Sequence, residues 1–470
     1  MQQDFAREVL ARLPLAEAVL TLWRWVVDPF FLLALFARHR GAGYEKVLSF
    51  ASLVQLMADA LLEHRGSGRK SFTRAREQGQ VEASVQAVYQ KLGRVPLGLR
   101  EAWLAESTER VRPVYPPAAL TPVPPSVQEF RVLVVDGKAI KRVAKRLKPV
   151  QGRKGGVLGG KALVAVEVAS GLAVALATHP DGETNDAKLV PALLPQVRPR
   201  VAGPRLGVAD RQFCDLTQTA AFAAAGDHFV VRYHPKTHFC PDPTHPAQPG
   251  EDAQGRVWVE DWGWLGCARA KTRRFVRRIT LYRPGEEPVI LITDLLDAER
   301  YPAHDLLALY LARWGIERVF QQITEVFHLQ ALIGTTPQGT IFQLAFCLLL
   351  YNLLQVVRAY VTAAQARPVE TISTELLFDD VQRQLVALTE LVPPPAIEPL
   401  FEPLPSYDSL CEQLTRLLET VWTSRWLKAP PKKPKPPTAR KAIRGNQTSV
   451  YRLLATYHQQ QKQAVTSPAQ

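Results

Sequence analysis

Apolar residues recur at the three-and-four spacing of a helix through residues 51–62 and 81–92, so residues 1–110 read as helical. The pattern changes after residue 126. FRVLVV (130–135), ALVAVEV (162–168), LAVALAT (172–178) and LGVA (206–209) are short apolar runs of strand length, and a helical stretch at 185–197 precedes the last of them. Three early strands, a crossover and a fourth strand predict an α/β fold, a mixed sheet covered by helices. Residues 227–294 add HFVVRYH, RVWVEDW, RFVRRITLY and PVILITD with no long helix between them, which predicts a β-rich insertion. From residue 303 the spacing is helical again. There is no internal repeat.

Two proline-rich stretches, VRPVYPPAALTPVPPS (111–126) and LVPPPAIEPLFEPLPS (391–406), interrupt this pattern, because proline lacks a donor and pushes its predecessor out of the helical region. They divide the chain into a helical region 1–110, a linker 111–126, a sheet-forming part 127–210, the insertion 211–300, a helical part 301–390, a Pro-rich break with helices 391–424, and a tail 425–470. Two apolar stretches are long enough to be checked as membrane spans. Residues 19–36 contain Arg24 and Asp28, and residues 341–357 contain Gln343, Asn352 and Gln355 and fall short of the ~20 apolar residues a span needs. Both are expected to be buried helices, with no membrane partner.

Composition narrows the function. Over 470 residues, 47% hydrophobic, the chain has ample material for a core, and 58 Lys and Arg against 44 Asp and Glu give a net charge of +14 that points to a polyanionic partner, nucleic acid first. The five cysteines, Cys214, Cys240, Cys267, Cys347 and Cys411, are odd in number and have no paired spacing, which fits a reducing cytosol better than a secreted scaffold. The opening MQQDFAREVLARLPLAEAVL carries acids and no cleavage site, so it is not read as a signal peptide. Basic residues are clustered: Arg65, Arg69, Lys70, Arg74 and Arg76 at 64–76, nine Lys or Arg and no acid at 137–161, six in ten positions at 269–278, and ten with no acid at 425–470. Within the tail, APPKKPKPPTARKAIRG cannot pack a core and is expected to be a flexible basic arm.

The acids are placed with more selectivity. Asp136 closes FRVLVVD and Asp210 closes RLGVAD, the carboxyl ends of buried strands where ligands meet open α/β sheets. Either Asp alone is as well explained as a turn former or helix cap. In the expected helix LYLARWGIERVFQQITEVF, Tyr310, Arg313 and Glu317 lie at i, i+3 and i+7 and share a face, beside an apolar stripe of Ile316, Val319, Phe320, Ile323 and Phe327. Alone, this is also what a solvated face with a local ion pair looks like.

Taken together, these residues resemble the DDE transposases of bacterial insertion sequences, in the branch (the insertion-sequence-four group) that carries a β-stranded insertion and the signature Tyr-x2-Arg-x3-Glu-x6-Lys. Tyr310, Arg313 and Glu317 match the first three positions, and VVDGK (134–138) and VADRQF (208–213) are similar to the family's surroundings of its two aspartates. The fourth position is Thr324, with Gln321 and Gln322 nearby, so the signature lysine is missing. The resemblance covers about residues 128–355. It implies a ribonuclease-H-like catalytic core in two parts, interrupted by the insertion and flanked by helical regions, the first of which binds DNA ends. Asp136, Asp210 and Glu317 would be catalytic and hold two Mg2+ ions, with Mn2+ as a substitute. Asp136 would bridge both ions, Asp210 would bind one and Glu317 the other. Two such ions activate the attacking oxygen and neutralise the departing one in phosphodiester cleavage, and they take hard oxygen ligands. Arg313 would contact phosphate or orient Glu317, and Tyr310 would donate to the DNA backbone. Lys138, Lys141, Arg142, Arg273 and Arg274 would track phosphates. Trp258, Trp262 and Trp264 would stack on a base, although alternate spacing puts Trp262 and Trp264 on one face of a strand, which makes core packing the stronger reading. The implied activity is cut-and-paste cleavage and transfer of double-stranded DNA at terminal inverted repeats into target DNA, by a homodimer in a bacterial-type cytoplasm at the nucleoid.

Other signals compete. Gly155, Gly160 and Lys161 spell the G-x4-G-K of an ATPase phosphate loop, but Ala162 follows where a Ser or Thr should hold Mg2+, and the run leads into a strand. His234, His238, Cys240, His245 and Cys267 are zinc-ligand types at a spacing that fits no standard finger. Glu183 and Asp186 in DGETNDAK lie near enough in sequence to add to a metal site, and Thr184 or Asn185 would serve as a cap. Thr324 keeps open a non-catalytic DNA-binding descendant.

Overall fold

The computed structural model describes residues 2–466 apart from 63, 65, 66, 142, 144–146, 154, 155, 253, 254, 268, 270, 271, 284, 326–332 and 430–446. The chain opens with seven helices, α1 (Gln2–Ala11), α2 (Pro14–Val26), α3 (Pro29–His39), α4 (Phe50–Leu62), α5 (Gly68–Glu77), α6 (Val85–Arg94) and α7 (Leu97–Val111). The apolar stretch 19–36 is broken between α2 and α3, which meet at a 41° bend. Asp28 accepts from the Phe31 N–H at 2.8 Å and Pro29 takes the first helical position, so the local sequence restarts the helix there. The expectation of a wholly buried stretch fails for α3, where Phe30 and Leu33 are exposed because that helix covers the core with one face only.

The Pro-rich stretch 111–126 is packed rather than a free linker. Val114, Tyr115 and Ala119 are buried, Tyr360 donates to the Val114 carbonyl at 2.9 Å, and the Thr121 N–H donates to Ala169 at 2.8 Å. Proline-fixed turns here satisfy the backbone against neighbouring elements.

Next come β1 (Arg131–Ala139), β2 (Val157–Leu158), β3 (Lys161–Glu167), β4 (Ala173–His179), α8 (Val190–Val197), β5 (Arg205–Ala209), α9 (Leu216–Phe222) and β6 (His228–Arg232). The insertion strands follow as β7 (Phe239–Pro241), β8 (Gln248–Glu251), β9 (Val257–Leu265), β10 (Arg274–Leu281) and β11 (Val289–Thr293). All except β2 lie in one ten-stranded sheet of order β4-β3-β1-β5-β6-β11-β10-β9-β7, with β8 on β9. β1 is antiparallel to β3 and parallel to β5, which is parallel to β6, and α8 and α9 are the crossovers that parallel pairing requires. The insertion is thus continuous with the sheet, joined where β11 pairs antiparallel with β6. β3 and β4 are buried along almost their whole length, which is why they read as unbroken apolar runs rather than alternating ones.

The last part holds α10 (Ala303–Ala312), α11 (Trp314–Glu325), α12 (Pro337–Ala364), α13 (Thr374–Leu391), α14 (Pro394–Ile397), α15 (Tyr407–Leu418), β12 (Thr448–Ser449) and α16 (Val450–Thr466). α12 runs 28 residues, longer than its 17-residue apolar run, and is long and apolar enough to cross a membrane; its apolar window is entirely buried inside the protein. Its polar side chains are used there, since Asn352 exchanges hydrogen bonds with Ala173 at 2.9 Å and donates to Thr108 at 2.8 Å. α7 and α12 pack on each other and on β4, α11 lies on β1 and α12, and α10 lies on β5 and β6. Ala6 and Leu10 of α1 meet Leu388 and Val392, so the first helix packs on the end of α13. The middle of the expected flexible arm, 430–446, lies outside the described residues. Beyond it the chain folds back, with β12 parallel to β2.

Candidate active site

Two strand ends bring the first two acids together. Val135 of β1 pairs with Ala209 of β5 in parallel register, so Asp136 and Asp210, the next residue on each strand, emerge side by side. β1 continues past this point only because β3 still pairs with it, Asp136 facing Val164. Asp136 Oδ1 accepts its neighbour's Gly137 N–H at 2.8 Å.

The third acid arrives on a broken helix. A single helix was expected across 309–327, but the chain breaks at Arg313 between α10 and α11, and residues beyond 325 fall outside the described set. The Arg313 N–H bonds back three residues to the Tyr310 carbonyl at 3.0 Å, a tight turn that swings α11 across β1. Tyr310 and Arg313 are buried, while Glu317 keeps 47% of its side chain exposed.

Arg313 is the hub. Its guanidinium lies 3.6 Å from Asp136 Oδ2 and 3.4 Å from Glu317 Oε1, and it stacks 5.5 Å from the Tyr310 ring, whose hydroxyl donates to Asp210 Oδ1 at 3.4 Å. All three acids therefore converge on one buried cation and its tyrosine. Burial pushes the Asp136 carboxyl up from its ordinary range, and the negative charges of Asp210 and Glu317 push the same way, against the Gly137 N–H and Arg313. Burial also raises the Tyr310 hydroxyl, with Asp210 adding to it. For Arg313, burial opposes the charge, but Tyr310, Asp210 and Asp136 together hold its pKa above the usual value. Among the described residues no three His, Cys, Asp or Glu side chains stand close enough to hold an ion as they are, and Arg313 is lodged among these carboxylates.

A fourth acid lies against this cluster. Asp186 is buried against the strand beside Asp136; a Cβ on Gly137 would lie 2.1 Å from its carboxylate, so only glycine fits there. Asp186 pairs with Lys161 at 2.6 Å and accepts from Gln212 at 2.7 Å, tying the start of β3 to the turn that follows Asp210. Burial lowers the Lys161 pKa, and Asp136 partly restores it. Asn185, not Thr184, makes the cap, accepting from Ala187 at 3.0 Å. Lys161 thus opens a strand and serves an internal ion pair, and the Gly159–Gly160 backbone pairs with Ile140, which corrects the phosphate-loop alternative.

The remaining candidates are dispersed. Lys138 turns toward α11, its ammonium 3.4 Å from the Phe320 carbonyl. Lys141 is exposed, and Arg142 lies outside the described residues. Trp258 and Trp262 are buried and their indole N–H groups donate to Glu260 and to the Leu296 carbonyl, so stacking on a base is closed to both; the core reading holds because β9 is covered on that face. Trp264 is half-buried under exposed Arg273, at 4.2 Å, and Arg274 is half-buried.

Residues 128–353 match the family model of the transposase DDE domain. The match supports a DDE transposase. The DDE span runs from just before β1 into α12 and contains Asp136, Asp210, Tyr310, Arg313 and Glu317, together with all the insertion strands. No curated protein matches the chain. Among solved structures, 89% of the chain is similar to 88% of a chain in the cryo-EM structure of the piggyBac transposase synaptic complex with hairpin DNA, at 11% identity and a TM-score of 0.37, a likeness too distant to bear on the site.

Proposed function

We propose that the protein is a cut-and-paste DNA transposase of the insertion-sequence-four type, which cleaves and joins strands at transposon ends with divalent metal ions in a ribonuclease-H-like core. The observation that carries this is the convergence of Asp136, Asp210 and Glu317 from two adjacent parallel strands and a later helix on Arg313. The core reading is supported by β1 lying between antiparallel β3 and parallel β5, with the first Asp on the first strand of the sheet and the second Asp just after its fourth.

The donor types suit Mg2+ or Mn2+, hard oxygens on three separate elements, but with Arg313 lodged among them they stand too far apart to share an ion as they are, and an ion would enter only as Glu317 turns toward the two aspartates. Asp136, Asp210 and Glu317 would hold the ions, and exposed Glu317 is the ligand with room to turn. Such ions, when bound, activate the attacking oxygen and stabilise the leaving one. Arg313 aligns the carboxylates and offers a guanidinium to phosphate, and Tyr310 fixes Asp210 while keeping its proton. Thr324 spends its hydroxyl on the Phe320 carbonyl at 2.6 Å, and the ammonium of Lys138 reaches that same carbonyl, so a cation from β1 stands on the helix whose signature lysine is missing.

The test is metal-dependent nicking of DNA carrying the element's terminal repeats. Asp136→Ala, Asp210→Ala and Glu317→Ala should each abolish nicking and leave end-binding largely intact, and full cleavage by any of the three removes the proposal. Thr324 also favours a second reading, a DNA-binding descendant without catalysis, for which the wild-type protein would bind ends and never cut them.

A further inference from the structure

We propose that Asp186 and Lys161 are positioning residues of the acidic site: their ion pair braces Asp136 and Asp210 from the far face of the sheet, and Asp186 cancels a lysine charge that would otherwise be directed at Asp136. This rests on the reading of Asp136, Asp210 and Glu317 as carboxylates that take up metal. Asp210 and Glu317 repel Asp136, and Arg313 with Tyr310 gathers the three on the near side. Successive strand residues face opposite sides of a sheet, so the space beside Gly137 lies behind Asp136. Asp186 fills that space, since its carboxylate stands 2.1 Å from where a Cβ on Gly137 would be.

Both oxygens of Asp186 are engaged. Oδ1 pairs with the Lys161 ammonium at 2.6 Å, and Oδ2 accepts from the Gln212 amide at 2.7 Å. Lys161 opens β3 opposite Ala139, on the same face of β1 as Gly137, and Gln212 lies in the turn after Asp210, closed by the Phe213 N–H on the Asp210 carbonyl at 3.0 Å. One buried carboxylate therefore links the two segments that carry the aspartates, and the Asn185 cap beside it fixes its own position. Packing alone would not need charge, because a buried ion pair is often exchanged for apolar groups of similar volume without loss of stability. Charge matters here because Asp136 acts on the same lysine, opposing the burial that lowers its pKa. Lys161 lies in the field of two acids, and Asp186, in contact with it, satisfies that charge and leaves Asp136 to the site. With both oxygens taken and its side chain buried, Asp186 is placed to support ligands rather than to be one.

The first test needs neither metal nor cleavage. In urea unfolding of the full chain at neutral pH with chelator, Asp136→Asn in the wild-type background relieves crowding and should raise the midpoint. In an Asp186→Asn background, where Asp136 is the acid left to Lys161, the same change should lower it. Midpoints that move the same way in both backgrounds overturn the proposal. The second test is calorimetric titration of the full chain with Mn2+. Asp186→Asn should bind about 10–100-fold more weakly than the wild type, the usual loss when a residue that supports ligands is changed. Adding Lys161→Met, which removes the uncompensated charge, should restore most of that factor. Unchanged affinity in the single variant, or no recovery in the double, also overturns the proposal, the latter by making Asp186 a ligand. Where the single variant fails to fold, the double variant strands no charge and must bind Mn2+ nearly as the wild type does. A wild type that binds no Mn2+ while the urea midpoints reverse as expected removes the metal reading and not the coupling of Lys161 to the two acids.

Discussion

Asp136 sits where ionisation is disfavoured, since burial and the neighbouring charges of Asp210 and Glu317 raise its pKa in the folded chain. A carboxyl whose folded pKa lies above its unfolded value binds its proton more tightly when folded, so stability is lost as pH rises through the interval between the two. Asp136→Asn removes that cost while nearly preserving shape. At neutral pH, without divalent metal, the Asn variant should unfold at higher urea than the wild type. Below the ordinary carboxylate range, where both states carry the proton, the gain should vanish. Urea midpoints across pH measure this, and a variant less stable than wild type at neutral pH would show that Arg313 outweighs the burial. Mg2+ should narrow the gap, because an ion bound only by the folded wild type stabilises it by mass action. Under the proposed function, stability and metal binding would be opposed at this residue, since the crowding that raises its pKa is what a bound cation would relieve.

At the scale of elements, the insertion is held to the site by a buried ion pair. Arg277 on β10 is fully buried, donating to Glu260 on β9 at 2.7 Å and to the Tyr301 carbonyl at 2.6 Å, just before α10 with its Tyr310. Glu260 also accepts from Trp258 at 3.0 Å. Burial lowers the Arg277 pKa and Glu260 opposes it, so removing the acid leaves a stranded charge. Glu260→Ala should cost about 3–5 kcal/mol in urea unfolding, whereas replacing both partners by Met should recover most of that loss. A small effect of the single change would mean that water reaches Arg277. Elements of this kind were unevenly legible in the sequence. β1, β3, β4 and β5 were visible because burial on both faces makes each a plain apolar run, and Asp136 and Asp210 were visible because they end such runs. The break at Arg313 has no proline to announce it, since a tertiary fit over β1 bends the chain there. The two-residue strands β2 and β12 have no periodicity to read. Asp186 looked like part of a capping turn, and its approach to Gly137 exists only in three dimensions.

For the whole molecule, the proline-rich breaks suggested separable units, but one apolar cluster runs from Leu15 and Leu22 through Trp103 to Val134, Leu176 and Phe342, linking the N-terminal helices, the sheet and α12. Polar ties cross the same boundary: Glu101 on α7 accepts from the Thr178 N–H and hydroxyl at 2.6 Å, and Thr108 bonds to the Ala173 carbonyl at 3.1 Å and receives Asn352 at 2.8 Å. Removing residues 1–110 would expose one side of α12 and β4 and leave Asn352 and the Thr178 N–H short of partners, at about 1–3 kcal/mol for each buried group left unpaired, in addition to the lost apolar contact. Residues 111–470 alone should therefore be aggregation-prone and bind hydrophobic dyes. The full chain should show a single cooperative transition for the helices and sheet together in calorimetry, with calorimetric and van't Hoff enthalpies in agreement, although most chains of this length melt in stages. Two resolved transitions, or a soluble and cooperative fragment 111–470, would mean that the shared cluster is too weak to couple the parts. In that case the DDE span would fold without its N-terminal helices, and movement between the two would become available for engaging DNA. With the cluster intact, the strands that carry Asp136 and Asp210 share one core with the N-terminal helices, and the exposed side of α11, which bears Glu317, is where the site stays open to movement.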